Sequence, residues 1–191
     1  MGKAISSLGV CLLIKAKVKA TSDTAKDANK VYYVLNSTTG VYMVASEAEV
    51  ASAVLTDLYE LDETGTLNWV QPICLTDVPD IGGDVEKIET TTLCDKQRTY
   101  INGILDAGES LDFTANYVHN VFLGLKALAN KKMDIMVAFG GLALDTLNNL
   151  IGNQGSCTFE GYVSTKLNGF GVNEVIPMTL SITIASEMIF A

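Results

Sequence analysis

The chain has 191 residues, 48% of them hydrophobic and 18% charged, with a formal net charge of −9. That length and composition fit one folded domain with a sizeable core and exclude a disordered chain. The acidic balance excludes a protein that grips phosphates through clustered Lys and Arg, but not one that nucleic acid slides past without sticking.

The charge is unevenly spread. Lys3, Lys15, Lys17, Lys19, Lys26 and Lys30 face only Asp23 and Asp27 in residues 1–30, a net of +4, which leaves −13 for the remainder. A basic arm on an acidic body serves self-assembly when the arm of one copy meets the body of another. Lysines also protect strand edges from aggregation, and the sequence leaves both readings open.

In "LGVCLLIKAKV" the even positions Leu8, Val10, Leu12, Ile14, Ala16 and Val18 are apolar, which predicts one long strand with a single buried face. Residues 20–30 read as a polar loop. "VYYVLNSTTGVYMVA" predicts a hairpin around a turn ending at Gly40. Ser46 followed by Glu49 is a capping-box pattern and predicts a short helix through Leu55. "LNWVQPICL" returns to strand, with Pro72 marking an edge or a bulge.

"DVPDIGGD" predicts a turn in which Gly82 and Gly83 take positive φ. "VEKIETTTL" follows with Glu86, Thr90 and Thr92 on one face and Lys87, Glu89 and Thr91 on the other. A strand wet on both faces suits a position lining water or another subunit. "YINGI" predicts a turn at Asn102-Gly103, and "SLDFTANY" a strand with Leu111, Phe113, Ala115 and Tyr117 inward. "YVHNVFLGLKALANKK" predicts an amphipathic helix with Val118, Val121, Phe122, Leu125 and Leu128 on one face and Lys131 and Lys132 at its negative pole. "MDIMVAF", "SCTFEGYVSTKL" and "VIPMTLSITIA" are further strands, and "GLALDTLNNLIGNQG" is ambiguous between helix and strand. Many strands and one firm helix predict a mainly β protein, a β-sandwich or barrel with one flanking amphipathic helix.

Chemistry is hard to find. Cys11, Cys74, Cys94 and Cys157 are widely spaced and read as small, largely buried hydrophobes; His119 completes no zinc site with them. Asp106, Glu109 and Asp112 cluster around a glycine turn, where turn chemistry accounts for them. Gly169-Phe170-Gly171 lacks the third glycine of a dinucleotide fingerprint, because Glu174 stands there. The expectation is a protein that is no enzyme and holds no metal or cofactor. "SLGVCLLI" is too short to span a bilayer, so no membrane insertion is expected. "MGKAIS" fits only a loose acylation pattern, and a soluble protein made and folded in the cytoplasm is the reading.

The stretch from 78 to 117 carries a resemblance. A "PDIGG" turn at 79–83 leads into an "IETTTL" strand at 88–93, a "YINGILD" segment at 100–106, and an alternating strand at 111–117 that ends on an aromatic. In that order the elements resemble the major tail tube protein family of long, non-contractile-tailed bacteriophages, related to the type VI secretion tube fold. "NGFGVNEVIPMTLSITIASE" is similar to that family's closing strands. The resemblance covers 69–191. It divides a single tail tube domain into a basic strand and loop at 1–30, an expansion at 31–68 and the tube core.

The resemblance implies a virion protein located in the tail, forming hexameric rings that stack into a tube. The tube encloses a tape-measure protein, meets tail terminator and tail tip proteins, and conducts double-stranded DNA without binding it specifically. On that reading Glu86, Glu89, Asp95, Asp106, Glu109 and Glu160 supply lumen-facing acids, though alternation forbids Glu86 and Glu89 both pointing inward. Lys15, Lys17, Lys19, Lys26 and Lys30 supply inter-subunit contacts. The alternatives are a tube of a secretion or injection apparatus, and a monomeric carbohydrate-binding β-sandwich with an aromatic platform around Trp69, Tyr32 and Tyr42.

Overall fold

The first strand, β1 (Cys11–Ala20), lies at the centre of the architecture, because it is hydrogen-bonded to three others. The computed structural model of the chain describes residues 9–23, 25–27, 30–92, 96–106, 110–145, 147, 149–172 and 174–191, with the side chains of 47, 84–86 and 103–106 left aside. The even positions of β1 behave as alternation requires: Leu12, Ile14, Ala16 and Val18 are buried in the main core. The odd face differs from the sequence expectation. Leu13 is also fully buried, in a smaller cluster with Val41 and Met136 on the opposite side of the sheet.

Residues 33–35 and 42–44 form the expected hairpin of β2 (Tyr33–Leu35) and β3 (Tyr42–Val44), with Gly40 at a φ of 70° in its turn. Helix α1 (Glu47–Ser52) opens with a complete capping box between Ser46 and Glu49. It ends before Leu55, since Ala53 and Val54 are extended and Leu55–Asp57 is a separate 3-10 turn. Strands β4 (Tyr59–Leu61) and β5 (Thr66–Gln71) follow. The pairs β1–β4, β4–β2, β2–β3, β3–β5 and β5–β1 close on themselves, so five strands form a small barrel-like ring. Pro72 interrupts "LNWVQPICL", and β6 (Leu75–Asp77) begins beyond it at the far end of the sheet.

On its other side β1 leads into β10 (Lys132–Ala138), β13 (Ser156–Leu167), β14 (Pro177–Ile184) and β9 (Ser110–Asn116), all antiparallel. With β6 beyond β9, and β15 (Ile189–Phe190) against β13, the sheet has eleven strands. Of the expected inward set, Leu111, Phe113 and Ala115 are buried in the main core and Tyr117 is half-buried against it; Met178, Leu180 and Ile182 of β14 join them. Helix α2 (His119–Ala127) covers that core with Val121 and Leu125.

This helix is shorter than the sequence indicates. Val118 is its exposed N-cap, Asn130 takes a left-handed φ of 64°, and Lys126 rather than Lys131 or Lys132 occupies the last turn. The ambiguous leucine-rich segment is a small hairpin of β11 (Leu142–Leu144) and β12 (Leu150–Gly152). Leu142 and Leu150 lie against the second cluster and help to bury Leu13.

Strands β7 (Asp84–Glu89) and β8 (Tyr100–Asp106) pair with each other in a separate two-stranded sheet. Gly82, at a φ of 136°, stands at its entry, while Gly83, expected to share that conformation, does not take a positive φ. The turn expected at Asn102-Gly103 is absent, because both residues lie within β8. Val85 pairs with Leu105 and Lys87 with Asn102, so β8 spends one residue more than β7 between those pairs. The small residue marks a bulge instead of a reversal.

Phe113 is fully buried between the sheet and α2. Phe113→Ala is expected to lower the stability of the subunit by about 3–5 kcal/mol, measured by denaturant titration.

Candidate functional site

Alternation gives the main sheet two contrasting sides. The side away from α2 carries the odd residues of β1 and the even residues of β10 and β13. Beyond the buried patch at Leu13 and Met136 this side carries Leu67, Trp69 and Tyr162 among charged side chains that are paired between strands. Lys15 Nζ lies 3.2 Å from Asp134 and 5.5 Å from the Trp69 ring centroid. Lys132 pairs with Glu160 at 2.5 Å, and the glutamate raises the lysine's pKa. Lys166 Nζ lies 3.8 Å from Asp112, which also accepts a hydrogen bond from Ser181. A surface built from alternating cations and anions presents little net field to a polyanion passing over it.

The expected inter-subunit lysines all find partners in their own chain or stand opposite an acid. Lys17 donates to the Glu63 carbonyl at 3.0 Å and Lys26 to the Ala51 carbonyl at 2.8 Å. Lys19 stands opposite Glu60 in register. Lys30 bridges Asp23 at 2.8 Å and Glu60 at 3.1 Å. The buried Tyr32 completes this clasp, since its hydroxyl donates to Asp23 Oδ2 at 2.9 Å and accepts from the Asp27 amide at 2.9 Å. The hydrogen bond from Lys30, and then that from Tyr32, hold the Asp23 carboxyl below the usual carboxylate range. The loop after β1 is thus tied to β2 and β4.

Of the six expected lumenal acids, two have described side chains, and these lie on different sheets. Glu160 lies on the charged side of the main sheet. Glu89 is exposed on the β7–β8 ribbon, 3.9 Å from Arg98. Glu86 and Asp106 belong to the same ribbon by backbone position, with side chains outside those described, and Asp95 and Glu109 lie outside the described residues. The ribbon is wet on both sides, as the sequence indicates. Lys87 and Glu89 are exposed on one face, and on the other Ile88 stands opposite Ile101 with 47% and 54% of their surfaces exposed.

Several clefts among the described residues adjoin these surfaces, one of them beside Trp69, Asp134 and Glu160. Another of about 450 Å³ lies between the end of α2, the β4–β5 turn and β1, with Lys15, Lys17, Lys131 and Lys132 in its wall. A further one of about 380 Å³ lies beside the clasped loop, against Tyr32, Val44 and Val121. One more holds Cys11 and Cys74 near β6. Here the expectation of buried cysteines holds only in part: Cys157 is buried and Cys11 half-buried, but Cys74 is exposed beyond the Pro72 break, and Cys94 is outside the described residues. Burial raises the Cys11 and Cys157 thiols, which disfavours the reactive thiolate.

Among the described residues no group of three or more His, Cys, Asp or Glu could hold a metal ion, and no helix is long and apolar enough to cross a membrane. His119 opens α2, and its Nδ1 lies 2.7 Å from the Tyr117 hydroxyl. Trp69, Tyr32 and Tyr42 form no common platform: Tyr32 is buried, Tyr42 packs edge-on against Tyr59, and Trp69 lies across the sheet beside Lys15.

A family model described as "Phage tail tube, TTP, lambda-like" matches residues 49–191. No curated protein matches. Among solved structures, one chain of a cryo-EM structure of the anti-feeding prophage baseplate, 6-fold symmetrised, has a TM-score of 0.54 and 9% identity. The likeness covers 100% of this chain and 97% of that one, and it is a likeness of fold. A chain from a crystal structure of Hcp protein gives a TM-score of 0.38 and 11% identity over 95% of this chain and 98% of that one.

The clasp has a pH signature. A carboxyl held low in the folded state contributes stability that is present above its unfolded pKa and lost as pH falls through the folded one. Asp23→Asn is expected to melt at a lower temperature than the parent at pH 7. That gap should close as pH falls well below about 3.9, the ordinary aspartate value, in a series of thermal melts.

Proposed function

Because the chain belongs to the lambda-like phage tail tube family, we propose that six copies close into a ring and that rings stack into the tail tube through which viral DNA leaves the virion. The observation that carries this reading is the β7–β8 ribbon. It forms its own two-stranded sheet, and its exposed Ile88 and Ile101 belong to neither core cluster. A lone two-stranded ribbon is marginal in water and gains stability only against a further surface. A neighbouring copy supplies that surface. The copy number follows the chain of like fold, which comes from a 6-fold symmetrised assembly.

The charged side of the main sheet is the proposed lumen wall, with Glu160, Asp134 and Asp112 each paired to a lysine. DNA binds proteins chiefly by releasing counterions to unpaired cations. A wall whose lysines are already engaged offers few such cations, so DNA moves past it. Of the six acids named from the sequence, Glu160 belongs to this wall. Glu89 goes with the ribbon at the contact between copies, and Glu86 and Asp106 belong to that ribbon by backbone position. The tape-measure protein occupies the same lumen before ejection, and tail terminator and tail tip proteins meet the two ends of the tube.

Lys15, Lys17, Lys19, Lys26 and Lys30 contribute to assembly in competition with their own-chain partners. Each exposed pair is worth only ~0–1 kcal/mol and is screened by salt, so its effect on assembly comes through repetition around a ring and along a tube.

Electron microscopy of the purified protein at rising concentration tests the reading. Hexameric rings and tubes are expected, with fewer tubes at high salt and in the Lys17→Glu/Lys19→Glu variant. Dispersed monomers at every concentration, with or without tail tip proteins, would contradict it.

A further inference from the structure

The cleft near β6 holds two thiols that the tube reading does not use. We propose that Cys11 and Cys74 are a dithiol pair that closes into a disulfide when the chain meets an oxidised small-molecule disulfide. Both line one cleft of about 380 Å³, with Val10 and Leu75 beside them. The strand pairing says why they meet. Continued unbroken, the register that sets Ile14 opposite Val70 would carry Ile73 to the face of Cys11. Ile73 is instead buried in the main core with Leu12, and Val10 and Leu75 both pack against that core. The break at Pro72 therefore shifts the alternation by one residue. Cys74, between Ile73 and Leu75, falls on the face of Cys11, between Val10 and Leu12. Burial, and then the neighbouring Cys74 thiol, raise the Cys11 thiol, so the two are close enough for one charge to act on the other. Asp77 shares the cleft, but among the described residues no three such groups are arranged to hold a metal ion.

Exposure sets the order of the steps, since Cys74 is exposed and Cys11 half-buried. The Cys74 thiolate attacks one sulfur of the small disulfide, forms a mixed disulfide and releases the other half as a thiolate. Capped Cys74 carries no charge, so it no longer opposes ionisation of Cys11. The Cys11 thiolate then attacks Cys74 Sγ and expels the second small thiolate. Two protein thiols and one small disulfide become one protein disulfide and two small thiols, so the small disulfide is the oxidant and takes up both electrons. The bond closes a seam. Residues 72–74 carry the chain from β5, beside β1, to β6 at the far end of the main sheet. Gln71 and Leu75 lie at most about 14 Å apart even on an extended chain, so that far end curls back toward β5 and β1. A Cys11–Cys74 bond ties the central strand to this joint. On the tube reading, a subunit assembled in a reducing cell meets such oxidants after release, and the bond closes in the finished tube; the bond itself does not depend on that reading.

Oxidised glutathione is the probe, applied to the purified full chain. Two of the four thiols should be lost, and alkylation, digestion and mass spectrometry should recover Cys11 joined to Cys74 within one chain. Cys157, which is fully buried, should remain a thiol. Cys11→Ser should stop with glutathione on Cys74, whereas Cys74→Ser should leave Cys11 unmodified over the same time. The oxidised parent should melt about 5–10 °C above the reduced parent, and neither serine variant should gain. Glutathione that stays on Cys74 in the parent, or a bond from Cys74 to Cys94 or to a second chain, would overturn the pair whether or not the protein forms tubes. A chain that forms the Cys11–Cys74 bond but never leaves the monomer would overturn the tube reading alone.

Discussion

The backbone pairing of β1 holds the two halves of the subunit together. Residues 11–14 pair with β10 and residues 14–18 with β5, while residues 18–20 pair with β4. The small closed ring of β1 to β5 and the broad run of β10, β13, β14 and β9 are therefore joined along one strand. Backbone groups buried in such a sheet have no partner except the ladder, so β1 cannot leave without exposing both halves. Its side chains serve both sides as well. Leu12 and Ile14 enter the main core, Leu13 enters the second cluster, and Lys15 and Lys17 reach the surface beside them.

That strand also fixes which surfaces are available to neighbours. Once the even positions of β1 face α2, the odd positions must face away, and the strands paired with it follow in register. The same alternation that assembles Phe113, Leu180 and Ile135 into the core sets Asp112, Glu160 and Asp134 on the outer side, each within reach of a lysine. A charged but internally balanced sheet face is a poor binding site and a good wall. The ribbon is the reverse: it has charge in excess and apolar residues uncovered, and it lacks a core of its own.

Much of this was legible in the sequence because it rests on local pattern. The period of two in "SLDFTAN" placed Leu111, Phe113 and Ala115 correctly, and the capping box at Ser46 and Glu49 is formed as read. The exposure of Lys87 and Glu89 in β7 was visible too, whereas the exposed Ile88 on the other face was not. What failed depends on distant partners. Leu13 looked solvent-facing until the β11–β12 hairpin covered it, and that hairpin was itself ambiguous because its leucines are spaced for either structure. Asn102-Gly103 has the chemistry of a turn, but pairing with β7 absorbed it as a bulge. The lysines named as contacts between copies were recognisable as a basic cluster, but their engagement with Asp134, Asp23, Glu60 and the Glu63 and Ala51 carbonyls is a product of the fold. The cleft at the end of α2 joins residues from 15 to 133 and has no local signature.

Amide hydrogen exchange of the ribbon, compared between dilute monomer and assembled material, tests most directly whether it is built to be completed by a neighbour. The account predicts that the paired amides of 84–89 and 100–106 exchange rapidly in the monomer, while β13 and β14 are protected, and become protected on assembly. Ribbon amides as protected as those of β13 in the dilute monomer, or unprotected in the assembled state, would contradict it.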